Sequence, residues 1–315
     1  MLRFLAVRLG ALVPVLFALS AIAFFSLAFC PGDPAELALS GLMDTESPPE
    51  EAVRELRREL GYDRPLAVQY GMWISRVLHG DMGRSVQTGK PVITEVGRAL
   101  SASGELAAAA MSLTIFLVLV LGTASAARTG SILDRSVLGL SLLAITLPDF
   151  FVAVLGILFF ALWLGILPVA GYGSFSHMVL PALTLTVVNS AIAIRLMRTS
   201  AVQALGSNYV LTARAKGLSE AAVLGRHVLR GALPPVMNYL GAITGHMLGG
   251  AVVVETIFMW PGVGRLLVES VRTRDVFVVQ GCVLAIGMTY VVVNLVVDIV
   301  HAGLDPRVRD TEKSA

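Results

Sequence analysis

The sequence predicts an all-α membrane protein of six transmembrane helices, with a large extracytoplasmic segment between the first and second. Three observations carry that prediction. Only 15% of the 315 residues are charged, where soluble globular chains carry about 25%, and mean hydropathy is +0.77. Apolar runs near the ~20 residues that a helix needs to cross a bilayer recur along the chain. Lysine and arginine gather in some connections and are balanced by acids in others, as cytoplasmic and outer loops of a membrane protein are. The net charge of +2 is too small to argue for nucleic acid as a partner. Cys30 and Cys282 both lie in apolar runs and give neither metal-binding spacing nor a disulfide framework.

The first apolar run extends from Leu9 to Cys30, behind Arg3 and Arg8. The others extend from Leu106 to Ala127, Val137 to Leu167 with Pro148 inside, Met178 to Met197, Leu233 to Met259 and Val276 to Leu304. Leu27-Ala28-Phe29-Cys30 faintly resembles a lipoprotein cleavage box. Phe29 stands where a small residue is needed, however, and the run exceeds the ~7–15 residues of a signal-peptide core, so this helix is expected to be retained. Residues 195–231 carry six basic residues (Arg195, Arg198, Arg214, Lys216, Arg226 and Arg230) against one acid, Glu220. The link from Arg128 to Arg135 holds two basic residues and Asp134, whereas residues 31–100 hold eleven acids and eight basics. The asymmetry expects both termini and 195–231 in the cytoplasm and 31–100 outside.

The outer segment reads as two short helices. Ser47-Pro48-Pro49-Glu50 has the pattern of a capping box with proline at the first helical position, opening a helix that stops at Gly61. A second helix is expected from Pro65 to just before Gly80. Its Leu66, Tyr70, Trp73 and Val77 form one apolar stripe, suited to a lid on the mouth of the bundle or a dock for an external partner.

One motif is rejected. Gly83-Arg84-Ser85-Val86-Gln87-Thr88-Gly89-Lys90-Pro91 looks like a phosphate-binding loop, but it has five residues between its glycines instead of four and Pro91 where Ser or Thr would hold magnesium. It is also expected on the outer face, away from ATP. No other nucleotide motif is found, so any ATP must be handled by another chain.

The informative stretch is Tyr209 to Val236, "YVLTARAKGLSEAAVLGRHVLRGALPPV", basic and helix-prone between two apolar runs. Tyr209 to Lys216 is good helix sequence, and Gly217 is a natural left-handed stop. Ser219 can cap a second helix whose positive N-terminus favours Glu220. Pro234-Pro235 then opens the fifth span. Leu211, Ala215, Leu218 and Ala222 offer small apolar knobs for a groove on a partner, while Arg214, Lys216 and Arg226 stay wet. A basic amphipathic helix lying on anionic lipid explains the same residues equally well.

This stretch resembles the EAA loop of ABC-transporter permeases, in the branch that imports dipeptides, oligopeptides and nickel. Set on Gly217, the general family pattern matches only at Ala213, Gly217 and Leu229, with Leu211, Thr212, His227 and Arg230 departing from it. The branch's own version, close to "TARAKGLS…HxLRxAL.P", fits nearly letter for letter. The resemblance covers nearly the whole chain: "MLRFLAVRLGALVPVL" at the start, "PGDPA" at 31–35, "LGYDRPLAVQYGMWI" at 60–74, "LPDFF" at 147–151, "HMVLPALTL" at 177–185, "ETIFMWPGVGRLLVESVRTRD" at 255–275 and "NLVVDIVHAGLDPRVR" at 294–309.

The resemblance implies a type I ABC importer permease fold in the bacterial inner (plasma) membrane. Residues 1–30 would be the N-terminus and first helix, 31–104 the extracytoplasmic segment, and 105–315 the core permease domain with the coupling loop at 199–232. Two permease subunits would form one pathway for small peptides or nickel and other metal complexes. Two cytoplasmic ATPases would hold ATP and magnesium and grip the loop at Thr212, Ala213, Arg214, Ala215, Lys216, Gly217, Leu218, Ser219 and Glu220. An external binding protein would deliver substrate. The chain itself would carry no cofactor, no metal and no bond chemistry. The short connection "LPVAGYGSFSH" at 167–177 resembles nickel or glutathione permeases more than those dipeptide permeases with a long insertion there.

Candidate pathway residues are Asp149, His246, Glu255 and Asp298. A carboxylate at a helix centre costs ~2.5–3.5 kcal/mol on insertion scales, so each needs a partner or a wet cavity. Asp149 follows Pro148, where broken backbone wants an acceptor, and Glu255 and Asp298 lie near expected helix ends, which favours structural roles. His246-Met247 could meet a soft metal, although such a pair more often packs. The rival class is a self-sufficient secondary transporter, which needs inverted repeats and a charged midplane site. No such repeat is found, and the polar cluster that a membrane enzyme needs is not found either.

Overall fold

The computed structural model describes residues 2–28, 35–36, 39, 48–61 and 63–304. Among these residues it is helical throughout, with one isolated antiparallel bridge, Arg84 to Pro91, and no named strand. The chain clusters into two compact units: Met1–Ser103 with Pro261–Val291, and Gly104–Trp260 with Val292–Ala315.

In the first unit, α1 (Leu2–Ala28) is followed by α2 (Glu50–Leu60) and α3 (Leu66–Leu78). The capping box at 47–50 is not formed as expected: Pro49 occupies the N-cap without a side-chain cap, and Ser47 lies outside the described residues. The reason is local. Pro48 precedes another proline, which disfavours helical backbone, so the helix starts two residues later than the pattern suggested. Gly61 closes α2 in the left-handed region at φ 73°. Tyr70 and Trp73 of the α3 stripe pack on the flank of α1, while Leu66 at its start stays exposed. Tyr70 stacks on Phe25 and meets Phe17 and Phe24 edge-on, Trp73 lies against Phe24, and the Ser20 and Tyr70 hydroxyls share a hydrogen bond of 2.7 Å.

The loop that looks like a phosphate-binding motif is a tie. Ser85 Oγ donates to Asp275 Oδ2 at 2.6 Å, the Gln87 N–H reaches the same oxygen at 3.3 Å, and Ser85 Oγ accepts from the Thr88 N–H at 3.0 Å. Asp275 also caps the helix that begins at Val276, accepting from the Val278 N–H at 3.4 Å. Val92, Val96, Ala99, Val263, Val278 and Cys282 make the core beside it.

In the second unit the central element is Phe175–Leu205 (31 residues), against which Leu229–Gly250 makes the most extensive packing. A π-turn at Val118–Gly122 brings Gly122 so close to this helix that a Cβ there would lie 2.7 Å from the Met197 side chain. The third expected span is broken. Ile132–Thr146 and Asp149–Trp163 meet at a bend of 111°, because Pro148 lacks an N–H and forces Leu147 into extended backbone (φ −88°, ψ 128°). The fifth is also divided. Leu229–Gly250 contains Pro234 and Pro235 rather than starting at them, and Val252–Ile257 follows as a separate short helix. Here the chain is already helical from Glu220 through a π-turn at Val223–Val228, so the prolines fall inside a helix that began upstream.

Among the described residues three helices are long and apolar enough to cross a bilayer (Val92–Ala127, Phe175–Leu205 and Val276–Val297), and four if the bent pair counts as one span. Leu12–Phe25 is a shorter apolar helix.

Candidate functional site

Residues 207–228 form an elbow at the end of the long helix Phe175–Leu205. Asn208–Ala215 is the first arm. It ends in a Schellman turn: the Gly217 N–H bonds the Arg214 carbonyl at 2.9 Å and the Leu218 N–H bonds the Ala213 carbonyl at 3.3 Å. Gly217 sits at φ +78°, a region that side chains with a Cβ resist, and nothing lies within 4 Å of where a Cβ would stand. Ser219 then caps the second arm, accepting from the Ala222 N–H at 3.4 Å.

The elbow has two faces. Val210, Ala213, Val223 and Val228 are buried and join Ala201, Ala204 and Met197 of the long helix in one core. Leu211, Thr212, Arg214, Ala215, Lys216, Gly217, Ser219 and Glu220 are exposed, Leu211 to 56%. Two of the expected roles change with this. Ala213 faces the core and is not available to a partner. Leu218, expected as a knob, is half-buried and packs on the same core, because the Schellman turn folds it back. Leu211 and Ala215, four residues apart on one face, keep their exposed place. Arg214 lies across the turn and donates through Nε and Nη2 to the two oxygens of Glu220, at 2.8 and 3.1 Å. The guanidinium holds the Glu220 carboxyl below the usual glutamate range.

A second ion pair, which sequence reading did not single out, fixes the helix leading into the elbow. Arg198 donates to Asp134 through Nε at 2.6 Å and Nη2 at 2.8 Å. Ser125 Oγ and the Gly130 N–H also donate to this carboxylate, at 2.5 and 2.8 Å, and Ser131 caps Ile132–Thr146 by accepting from the Asp134 N–H. The visible signals were a lone acid in the basic 128–135 link and an arginine just past an apolar run.

The four pathway candidates fall in different places. Glu255 is buried at 1% exposure in Val252–Ile257, and Asp149 is half-buried in the first turn of Asp149–Gly156, where a carboxylate suits the helix dipole. These two short helices pack together. The side chains of His246 and Asp298 lie outside the described residues. Among the described residues no group of three or more His, Cys, Asp or Glu could hold a metal ion.

Comparison with known proteins identifies the family of this apolar, helical chain. Residues 118–310 match the family described as binding-protein-dependent transport system inner membrane component, and residues 1–105 match the N-terminal region of such membrane components. A protein of Brucella abortus (strain 2308) named as a peptide transport system permease is 37% identical over 310 residues, covering 96% of this chain and 97% of its own. The glutathione transport system permease proteins GsiC of Salmonella paratyphi A (strain ATCC 9150 / SARB42) and Salmonella typhimurium (strain LT2) are each 36% identical over 309 residues, covering 98% of this chain and 99% of theirs. The chain therefore belongs to the family of binding-protein-dependent transport system inner membrane components and is a multi-pass, non-catalytic permease subunit of an ABC importer.

Proposed function

We propose that this chain forms half of the translocation pathway of an ATP-driven importer of small peptides, and that the coupling loop at 199–232, through the elbow at its centre, docks on a cytoplasmic ATPase. In this reading six helices cross the membrane, both termini lie in the cytoplasm and residues 31–104 face an external binding protein. A second permease subunit completes the pathway, and two ATPases hold ATP and magnesium. This chain holds no cofactor. The peptide and glutathione permeases among its relatives support a peptide cargo over nickel or another metal complex.

The observation that carries the reading is the two-faced elbow. Leu211 and Ala215 stand out from it for a partner's groove, while Ala213 and Val223 seat it in the same core as Met197. Packed cores resist compression, so a push on the exposed face moves the long helix with it. The Arg198–Asp134 pair carries that motion to the 123–135 link. Asp149 and Glu255 act on the bundle's geometry, so neutralising either lowers turnover of every substrate alike.

Gly217→Val tests the coupling. A β-branched residue in left-handed backbone costs about 1–2 kcal/mol, a roughly five- to thirty-fold shift away from the elbow geometry, with no clash to complicate it. The variant should insert normally and lose ATPase co-purification and transport-coupled hydrolysis. In a background lacking Cys30 and Cys282, a cysteine at Ser207 should react with an impermeant thiol reagent only after lysis, and one at Thr88 in intact cells. Full coupling in a well-inserted Gly217→Val protein, or labelling at 207 in intact cells, refutes the proposal.

A further inference from the structure

The α2–α3 hairpin carries a feature that the transport reading does not use. A groove of about 720 Å³ is lined by Arg58, Arg64 and Arg76, with a buried Gly61 at its floor and Gly71 and Ser75 leaving backbone and hydroxyl accessible between them. All three arginines are exposed, and among the described residues no carboxylate lines the groove. Val68 and Met72 complete the wall.

We propose that this groove holds the phosphodiester headgroup of an anionic membrane lipid, with α3 lying in the membrane surface. Two further observations point to lipid. First, α3 lies against the apolar stretch of α1, through Tyr70 and Trp73 on Phe17, Phe24 and Phe25. A helix held there sits beside hydrocarbon or at its edge, and tyrosine and tryptophan are the residues that favour that edge. Second, outside the Tyr70 and Trp73 contacts α3 still exposes Leu66, Val68 and Leu78, to 44%, 42% and 79%. Exposed leucines next to arginines suit an interfacial helix, with acyl chains covering the leucines and guanidinium forks bonding the phosphate. Free phosphate would satisfy the arginines and leave the leucines in water. The inference takes α1 as a membrane span, as proposed above, but needs neither the ATPase nor the substrate assignment.

The test uses the full-length chain in nanodiscs of mixed phosphatidylcholine and phosphatidylglycerol, with retained lipid read by native mass spectrometry. Each arginine near an anionic surface contributes roughly a fivefold factor, so Arg58→Gln/Arg64→Gln/Arg76→Gln should bind phosphatidylglycerol on the order of 100-fold more weakly. Arg54→Gln/Arg84→Gln/Arg272→Gln, with equal charge loss elsewhere on the same unit, should bind as the wild type does. Equal loss in both triple variants, no lipid preference in the wild type, or displacement by millimolar inorganic phosphate each overturns the lipid site. A Trp163→Phe/Trp260→Phe protein reports the depth of α3 independently, because Trp73 fluorescence should then be quenched by lipids brominated near the headgroup. Absence of quenching sinks the membrane placement itself; quenching without headgroup selectivity sinks only the anion site.

Discussion

Two arginine–carboxylate pairs in the second unit share one geometry and differ in their surroundings. Arg198 grips Asp134 at 2.6 Å with side chains 21% and 3% exposed, and Arg214 grips Glu220 at 2.8 Å with side chains 40% and 64% exposed. Both guanidinium groups bond both carboxylate oxygens. The first carboxylate also accepts from Ser125 and Gly130, while the second faces solvent. Identical bonds therefore do different work. The buried pair fixes the helix that leads into the elbow, and the exposed pair shapes the elbow's solvent face, the face offered to an ATPase in the proposed docking.

The largest expected effect follows from breaking the buried pair on one side. Asp134→Ala strands a guanidinium, a hydroxyl and an N–H in a site with little water, and losing one partner of a buried pair costs about 3–5 kcal/mol. The measurement is thermal unfolding of the detergent-purified chain, with Asp134→Ala/Arg198→Leu as the comparison. The double variant should recover much of the loss. If Asp134→Ala melts as the wild type does, the pair is not the anchor that its geometry suggests.

That pair also marks the limit of what the sequence discloses. Asp134 and Arg198 are 64 positions apart, so no local rule joins them, and only the fold brings the link against the long helix. The elbow was legible because its rules are local: Gly217 for a left-handed stop, and Ser219 for a cap three residues before Ala222. Which of its apolar residues face inward was not, because Ala213 and Leu218 turn inward against Met197, Ala201 and Val228, which lie outside the elbow's own helical arm. Hydropathy found the apolar run around Pro148 but not its 111° bend, since composition is blind to direction. The loop at 83–91 departs from a phosphate-binding motif in its own residues, but its role as a tie depends on Asp275, about 190 residues away, and no local rule shows that.

A second, intermediate effect separates fold from coupling on the elbow itself. Leu211→Asp changes an exposed side chain that the core does not use, so unfolding should be unaffected. Burial of a leucine against a partner is worth about 1.5–3 kcal/mol, so ATPase binding should weaken by at least roughly tenfold. Pull-down with the cognate ATPases, read beside the melting curve, distinguishes the two. Intact binding by Leu211→Asp would mean that the elbow meets lipid rather than a protein groove.

The smallest effect is expected at the exposed pair. Glu220→Gln removes a charge that water already screens, and isolated surface pairs contribute little to stability, so the melting curve should not move. The sign with pH follows from the depressed Glu220 carboxyl. Its contribution, too small to move the midpoint, is present above the ordinary glutamate range and fades as pH falls through the lowered folded value, so acid should not separate wild type from variant either. Docking should respond more than stability does, because Glu220 keeps Arg214 folded across the Gly217 turn instead of extended toward the partner. Salt screens exposed charges beyond about 10 Å at 0.1 M, so a modest loss of ATPase affinity at low ionic strength should vanish at high salt. Should Glu220→Gln instead melt as early as Asp134→Ala, or release the ATPase as completely as Leu211→Asp, the distinction between a buried anchor and an exposed shaping pair would fail.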